Sequence, residues 1–323
     1  MSKSEFRTKI RSYLTDVICK QTYDIPFITS DGMEFRITDA FICPLCMNII
    51  NVEDKGRITL EDVPPESVGG HPVLVTCSKC NNSLGGRIDN YLYNELLIVY
   101  LLSHPENHSF KTVFNVNGKK IKGRLRIETK EGYRFLHCTI DGNDRGNYPS
   151  FTSEIENHWD GCQIEMTSLI TDVKRNDEFS NAAKLKSAYL LAFSKLGYMY
   201  ILSDNLDLVR QQIQNPDDDI LCNSYIIGSC FDILSELKDG VYYAKVNEID
   251  CIVVLLSFHL NSVDTANHRV VIALPHPEDK ECKLYSMLSK MGDSKKMQLL
   301  EVTKPLPIRK IRIKETVSEI INE

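Results

Sequence analysis

Residues 41–92 read FICPLCMNIINVEDKGRITLEDVPPESVGGHPVLVTCSKCNNSLGGRIDNYL, and this stretch sets the fold of the region around it. It contains two Cys-x-x-Cys pairs, Cys43 with Cys46 and Cys77 with Cys80. Each pair is a tight turn that offers two thiolates to one ion, and four thiolates complete a tetrahedral zinc site. We therefore predict structural Zn²⁺ at these cysteines, with no open coordination position for catalysis.

The pattern between and after the cysteines predicts a hairpin followed by a helix. Residues 57–61 and 72–76 have the composition of short strands. Pro64 and Pro65 must leave the first strand, because proline cannot continue a β-ladder. After the second cysteine pair, residues 81–102 carry apolar side chains at helical spacing. The order is strand, loop, strand, helix, with the cysteines fastening both ends.

The composition is that of a globular protein in a reducing compartment. The chain has 323 residues, 42% hydrophobic and 25% charged, and a net charge of -6 argues against coating nucleic acid by bulk charge. No signal-peptide core and no apolar run long enough for a membrane span is present, so we expect no membrane partner. The cysteine count is 11, an odd number, and those outside the two pairs have no paired spacing. We predict a cytoplasmic protein without a disulfide framework.

The element pattern predicts an α+β protein in three segments. Residues 141–160 have a loop-like composition, and a helix follows from about Glu178 to Gly197. The first predicted segment, 1–105, contains an N-terminal helix at 4–20 and the zinc-stapled hairpin. The second, 106–215, contains an antiparallel meander at 110–140 plus helices. The third, 216–323, is an α+β region with no assigned role.

The central stretch resembles the HNH endonuclease family of the ββα-metal class, in the branch whose hairpin is stapled by zinc. The resemblance covers about residues 41–95, and residues 182–201 are similar to a helix that follows the nuclease domain in this branch. The residues that carry it are Glu61-Asp62-Val63-Pro64-Pro65, Gly69-Gly70, Cys77-Ser78-Lys79-Cys80-Asn81-Asn82, Gly85 and Ile88-Asp89.

The resemblance implies metal-dependent hydrolysis of phosphodiester bonds. In this family a base takes a proton from water, and one divalent ion, Mg²⁺ or Mn²⁺, neutralises charge on the phosphate. Residue by residue, Glu61 matches the metal-holding carboxylate, Asp62 falls at the base position and Asn81 at the third catalytic position, where its oxygen can also bind the ion. The middle position falls near His71 or Pro72, and Asp89 is a further candidate ligand of the divalent ion.

The base position departs from the family pattern, because Asp62 stands where the family has histidine. An ordinary aspartate has a pKa of about 3.9, against about 6.5 for histidine, so it is the weaker base. Three hypotheses stay open. Asp62 is a weaker base or a ligand in a two-carboxylate metal site; His71 replaces the missing base; or the site is inactive and the fold serves binding. Enzymatic activity is therefore open.

A basic row in the predicted meander is a candidate nucleic-acid contact. Residues 119–126 alternate basic with apolar side chains, so one strand face would present Lys120, Lys122, Arg124 and Arg126 together. The alternative is an edge strand that its cations protect from aggregation.

The functional expectation is an HNH-endonuclease-like protein that binds nucleic acid, DNA rather than RNA. The alternative class is an inactive pseudo-nuclease that binds nucleic acid or protein, or a phage-defence effector whose C-terminal region senses a ligand. Whether the chain forms a homodimer is left open.

Overall fold

The structure is a computed structural model. It describes residues 26–28, 34–36, 40–104, 106, 109–116, 118–157, 164–169, 173–222, 224–228, 237–246, 249–260, 268–279, 283–290, 297–301 and 311–312. The predicted helix at 4–20 lies outside these residues. Within them, no helix has the combination of length and apolar character needed to cross a membrane.

The described elements alternate between strands and helices, which confirms a mixed α+β protein. The strands are β1 (Pro26–Ile28), β2 (Glu34–Arg36), β3 (Ala40–Ile42), β4 (Ile49–Asn51), β5 (Ile58–Val63), β6 (His71–Cys77), β7 (Ser109–Val116), β8 (Lys119–Lys130), β9 (Tyr133–Ile140), β10 (Ile164–Leu169), β11 (Ile226–Gly228), β12 (Gly240–Val246), β13 (Ile249–Phe258), β14 (His268–Pro275), β15 (Met297–Glu301) and β16 (Ile311–Arg312).

The helices include one π-helical turn that joins two α-helices end to end. The α-helices are α1 (Ser78–Leu84), α2 (Asn90–Ser103), α3 (Tyr148–Asn157), α4 (Asp177–Leu196), α5 (Tyr198–Ile201), α6 (Leu206–Gln214) and α7 (Lys283–Leu288). The π turn is Gly85–Asp89, and short 3-10 helices are Lys55–Arg57, Glu66–Val68 and Gly142–Asn147.

The chain forms two compact units, Met1–Tyr93 together with Asn176–Glu323, and Asn94–Arg175. The predicted boundaries at 105/106 and 215/216 stay a prediction. In the larger unit, α4 packs against the hairpin of β5 and β6 and also against β12, β13 and β14. A helix shared in this way places the N-terminal and C-terminal parts of the chain in one unit.

Helix α4 is the core of the larger unit. The Asn176 side chain accepts a hydrogen bond from the Phe179 backbone at 3.0 Å and caps the first turn, and Gly197 ends the helix with a φ of 77°. The predicted helix is thus confirmed. Its buried residues occupy more than one face and include Lys184 and Lys186. A charged group that is buried in this way needs hydrogen-bond or ion-pair partners within the protein.

A five-stranded antiparallel sheet completes the larger unit, in the order β11-β14-β13-β12-β15. Residues Cys251–Leu256 of the central strand β13 are all buried. Since successive side chains of a strand point to opposite faces, both faces of the sheet are covered here.

The smaller unit is built on a four-stranded antiparallel sheet in the order β10-β7-β8-β9. The turn Glu131-Gly132 joins β8 to β9 with both residues at positive φ, 52° and 81°, as a two-residue hairpin turn requires. This turn fixes the register, with Lys130 opposite Tyr133. The predicted meander is confirmed.

The prediction of a loop over 141–160 is wrong, since α3 occupies Tyr148–Asn157. Phe151 and Ile155 lie one helical turn apart and pack on the same face of the sheet, against a cluster formed by Phe114, Val116, Ile121 and Leu125. The polar composition of this segment belongs to the outer side of the helix. Tertiary packing therefore forms a helix that the local composition does not indicate.

Candidate metal centre and adjoining carboxylate site

The four predicted zinc ligands come together in the structure. The first pair, Cys43 and Cys46, lies in the turn between β3 and β4, while Cys77 ends β6 and Cys80 lies in the first turn of α1. Their sulfur atoms all lie within 4.8 Å of one another. A tetrahedral zinc site with Zn–S bonds of about 2.3 Å has sulfur atoms about 3.8 Å apart, and the Sγ atoms of Cys46 and Cys77 are 3.8 Å apart. The cluster is therefore of a size that holds a metal ion.

The four thiols interact strongly with one another through hydrogen bonds. Hydrogen bonding with Cys46 and the other thiols raises the pKa of Cys43, whereas hydrogen bonding with Cys43 lowers the pKa of Cys46 to about 2. Backbone N–H groups donate to two of the sulfurs, from Cys77 to Cys43 at 3.4 Å and from Cys80 to Cys77 at 3.3 Å. Such donors stabilise thiolates, and a soft four-thiolate set suits Zn²⁺.

Helices α4, α5 and α6 hold the first cysteine turn in place. The Tyr198 hydroxyl donates to the carbonyl of Ile42 at 3.1 Å and accepts from its N–H at 3.0 Å. The Tyr189 hydroxyl donates to the carbonyl of Pro44 at 2.7 Å and accepts from Arg210 at 2.9 Å. The backbone on both sides of Cys43 is thus fixed from the helical layer.

A buried ion triad lies on the other side of the hairpin. The Lys186 ammonium donates to Glu61 Oε1 at 2.9 Å and to Asp89 Oδ2 at 2.7 Å. The exposed fractions of the Lys186 and Glu61 side chains are 1% and 3%. The second oxygen of Glu61 accepts from the Thr76 hydroxyl at 3.0 Å. Two of the predicted ligands of a divalent ion therefore share a protein cation instead.

The triad has uneven charge, with two carboxylates and one ammonium. Burial by itself lowers the pKa of Lys186, but the charges of Asp89 and Glu61 outweigh it and the pKa is raised. Burial raises the pKa of Asp89, against the opposing effect of Lys186. Asp89 Oδ1 is buried and has no hydrogen-bond partner among the described residues. Lys186 is therefore held as the charged ammonium that the carboxylates require.

Asn81 faces the same site from α1. Its side-chain nitrogen donates to the Leu60 carbonyl at 2.8 Å, which fixes the orientation of the amide. A Cβ added to Gly85 would lie 3.9 Å from Asn81 Oδ1 and 3.8 Å from Asp89 Oδ2. Asn81 and Asp89 thus border the same glycine, and Lys186 links Asp89 to Glu61.

Asp62 and His71 lie at the loop end of the hairpin, and Asp62 directly follows Glu61 of the triad. The pairing of β5 with β6 shifts between Glu61 and Asp62, so Asp62 lies opposite Pro72. Burial raises the pKa of Asp62, and the charges of Glu66 and Glu61 act in the same direction, against His71 and Lys186. His71 is exposed at the start of β6. A raised pKa makes Asp62 a stronger base than an ordinary aspartate.

The glycine pair of the loop is required by close packing. Gly69 has a φ of 92°, and a Cβ there would overlap the imidazole of His259, while a Cβ on Gly70 would overlap the carbonyl of Pro64. The His259 backbone N–H also donates to the Val68 carbonyl at 3.2 Å. The sequence does not indicate that His259 belongs here, since nothing in its spacing connects it with the hairpin.

The basic row of the predicted meander is present in the smaller unit. Lys120, Lys122, Arg124 and Arg126 are exposed, and they alternate with residues that are buried in the sheet core. These residues lie in β8, which has β7 on one side and β9 on the other. Within the described sheet β8 is therefore an inner strand, and edge protection does not account for its cations.

Comparisons of this chain with protein-family models, with curated proteins and with solved structures gave no match.

Proposed function

We propose that this protein is a zinc-stapled, HNH-like nucleic-acid-binding protein whose hairpin site carries out no metal-dependent cleavage. The order of β5, β6 and α1, closed by four cysteines, is the order of elements that the resemblance implies. The proposal takes Zn²⁺ as the structural ion of the cluster. Its four thiolates leave no position for a substrate, so any chemistry belongs to the carboxylate side of the hairpin.

The observation that carries the proposal is the position of Lys186. Its ammonium lies 2.9 Å from Glu61 Oε1 and 2.7 Å from Asp89 Oδ2. A Mg²⁺ ion bound to the same two oxygens would need bonds of about 2.1 Å, and its centre would fall within the space that the ammonium fills. Like charges would also repel at this distance. The ammonium and a divalent ion therefore exclude one another at these oxygens.

The second candidate is a metal-dependent nuclease, and one observation favours it. Asp89 Oδ1 has no partner among the described residues, and the pKa of the neighbouring Asp62 is raised. An ion held by Asp62, Asn81 and this oxygen would leave Lys186 in place. An ion in this position would not be bound by Glu61, the carboxylate that the family pattern assigns to the metal.

A cleavage assay separates the two functions. Zinc-loaded protein is incubated with Mg²⁺ or Mn²⁺ and with duplex DNA, single-stranded DNA or RNA. We expect no cleavage above the background, and we expect Asp62→His, which restores the family base, to remain inactive because Lys186 still fills the cation position.

The control for contaminating nucleases is Asp62→Ala, prepared in the same way. Cleavage by the wild type that Asp62→Ala abolishes would establish the nuclease and overturn the proposal. Cleavage gained by Asp62→His alone would show that the base, and not the cation position, is what the site lacks.

A further inference from the structure

The outer face of the smaller unit carries exposed aromatic rings beyond the Arg126 end of the basic row, where β8 continues to Glu128 and Lys130. Cross-strand pairing places Arg126 opposite His137, Glu128 opposite Phe135 and Lys130 opposite Tyr133. Directly opposite residues of antiparallel strands point to the same face. The rings of β9 therefore lie on the same face of the sheet as the cations of β8.

Both rings are exposed to solvent. The exposed fraction is 72% for Tyr133 and 48% for Phe135. The helix α3 and the apolar cluster around Phe114 and Ile121 lie on the opposite face of the sheet. The exposed rings therefore take no part in the core, and the face they form is open in the described unit.

The charges of this face suit a polyanion. Lys120, Lys122, Arg124 and Arg126 are all exposed along β8, and the Asp144 carboxylate accepts a hydrogen bond from the Lys122 backbone N–H at 2.7 Å. Alternate residues of a strand are about 7 Å apart, so the row extends over about 20 Å. The single carboxylate of β8 on this side, Glu128, lies 2.9 Å from His137 Nε2. A row of cations stands out in a chain whose net charge is -6.

We infer that this sheet face, formed by the cations Lys120, Lys122, Arg124 and Arg126 with the rings of Tyr133 and Phe135, binds single-stranded nucleic acid. The cations contact phosphates, and the rings stack on unpaired bases. A duplex offers phosphates but keeps its bases stacked inside, so the rings would find no partner there. The inference rests on the proposed nucleic-acid binding and names the kind of strand that is bound.

Fluorescence anisotropy with the full zinc-loaded chain tests this inference. The probes are labelled oligothymidylate and oligouridylate of about 20 nucleotides and a DNA duplex of the same length. We expect both single strands to bind more tightly than the duplex. Replacing both rings, Tyr133→Ala with Phe135→Ala, should weaken single-strand binding by about 10-fold or more and leave duplex binding unchanged.

The contribution of the cations can be measured separately, from the salt dependence of the binding affinity. Removing Lys122 and Arg124 together by alanine substitution should reduce the slope of log affinity against log salt by about 0.7 for each cation that contacts a phosphate. The ring variant should keep the wild-type slope. A matched control is Leu136→Ala, because Leu136 is 50% exposed on the same strand but alternates to the other face.

Each outcome supports or overturns the inference. Single-strand binding that the ring variant leaves unchanged would overturn it and leave the proposed function standing, since another surface would then bind. Binding to none of the probes would overturn both. A dimer of the chain that the ring variant dissociates, together with no single-strand binding, would assign the face to a second copy. A preference between the two single-stranded probes would identify DNA or RNA as the strand.

Discussion

Loss of the metal from the four-cysteine cluster is expected to cause a large drop in stability. Binding energies of structural zinc are about 10–16 kcal/mol in small peptides, and part of that energy is folding energy in any zinc-stapled domain. We expect Cys77→Ser to lose the bound zinc and to lower Tm by about 10 °C or more. The physical reason is that β3, β6 and α1 meet at the cluster, where four thiols within 4.8 Å of one another need a shared cation.

Zinc content by atomic emission and Tm by calorimetry check this prediction. The control is Cys138→Ser, because Cys138 is an exposed free cysteine outside the cluster. That variant should keep one zinc per chain and the wild-type Tm. A Cys77→Ser protein that keeps both its metal content and its Tm would show that the cluster is not the structural staple we describe.

Replacing Lys186 by methionine should be the most damaging single change outside the cysteines. The variant keeps an unbranched side chain, one heavy atom shorter than lysine, but leaves Glu61 and Asp89 facing each other without a counter-charge. Breaking a buried ion pair in this way costs about 3–5 kcal/mol. Chemical unfolding of the wild type and of Lys186→Met measures the difference.

The stability lost in Lys186→Met should depend on pH in a defined direction. In the wild type the pKa of Lys186 is raised above its ordinary value of 10.5. Its contribution to stability is therefore complete below that value and is lost only as the pH rises through the folded-state pKa. In Lys186→Met the two carboxyl groups gain a proton more readily in the folded state than in the unfolded chain. The variant should thus be less destabilised at pH 5 than at pH 8.

Two further variants make the Lys186 prediction specific. Adding Glu61→Gln to Lys186→Met removes one of the two unpaired charges and should recover part of the lost stability. Lys195→Met, at the exposed end of the same helix, should be close to neutral. Equal losses for Lys186→Met with and without Glu61→Gln would mean that the triad is not electrostatically coupled.

The sequence predicts well what local chemistry determines. Two Cys-x-x-Cys turns together can supply the four thiolates of a zinc site, and proline and glycine at 64, 65, 69 and 70 mark the hairpin loop because they restrict or free the backbone. The meander follows from alternation and from turn residues such as Gly132. The cluster and the order of strands and helix around it were therefore within reach of the sequence.

The triad was not within reach, because its partners are distant along the chain. Lys186 is separated by 125 residues from Glu61 and by 97 from Asp89. In an amphipathic pattern a lysine indicates the solvent side of a helix, and only the packing of α4 between the hairpin and the C-terminal sheet buries it. The exposed rings of β9, Tyr133 and Phe135, were missed for a similar reason. Only the pairing of β8 with β9 shows that they lie on the same face of the sheet as the basic row.

Titration of Mn²⁺ into zinc-loaded protein, followed by calorimetry, tests the central claim most directly. The claim is that the Lys186 ammonium holds the place of a divalent ion between Glu61 and Asp89. The account predicts no Mn²⁺ binding at this site in the wild type, one bound ion in Lys186→Ala, and loss of that ion when Asp89→Asn is added. Tight binding of one Mn²⁺ by the wild type, abolished by Glu61→Gln, would contradict it.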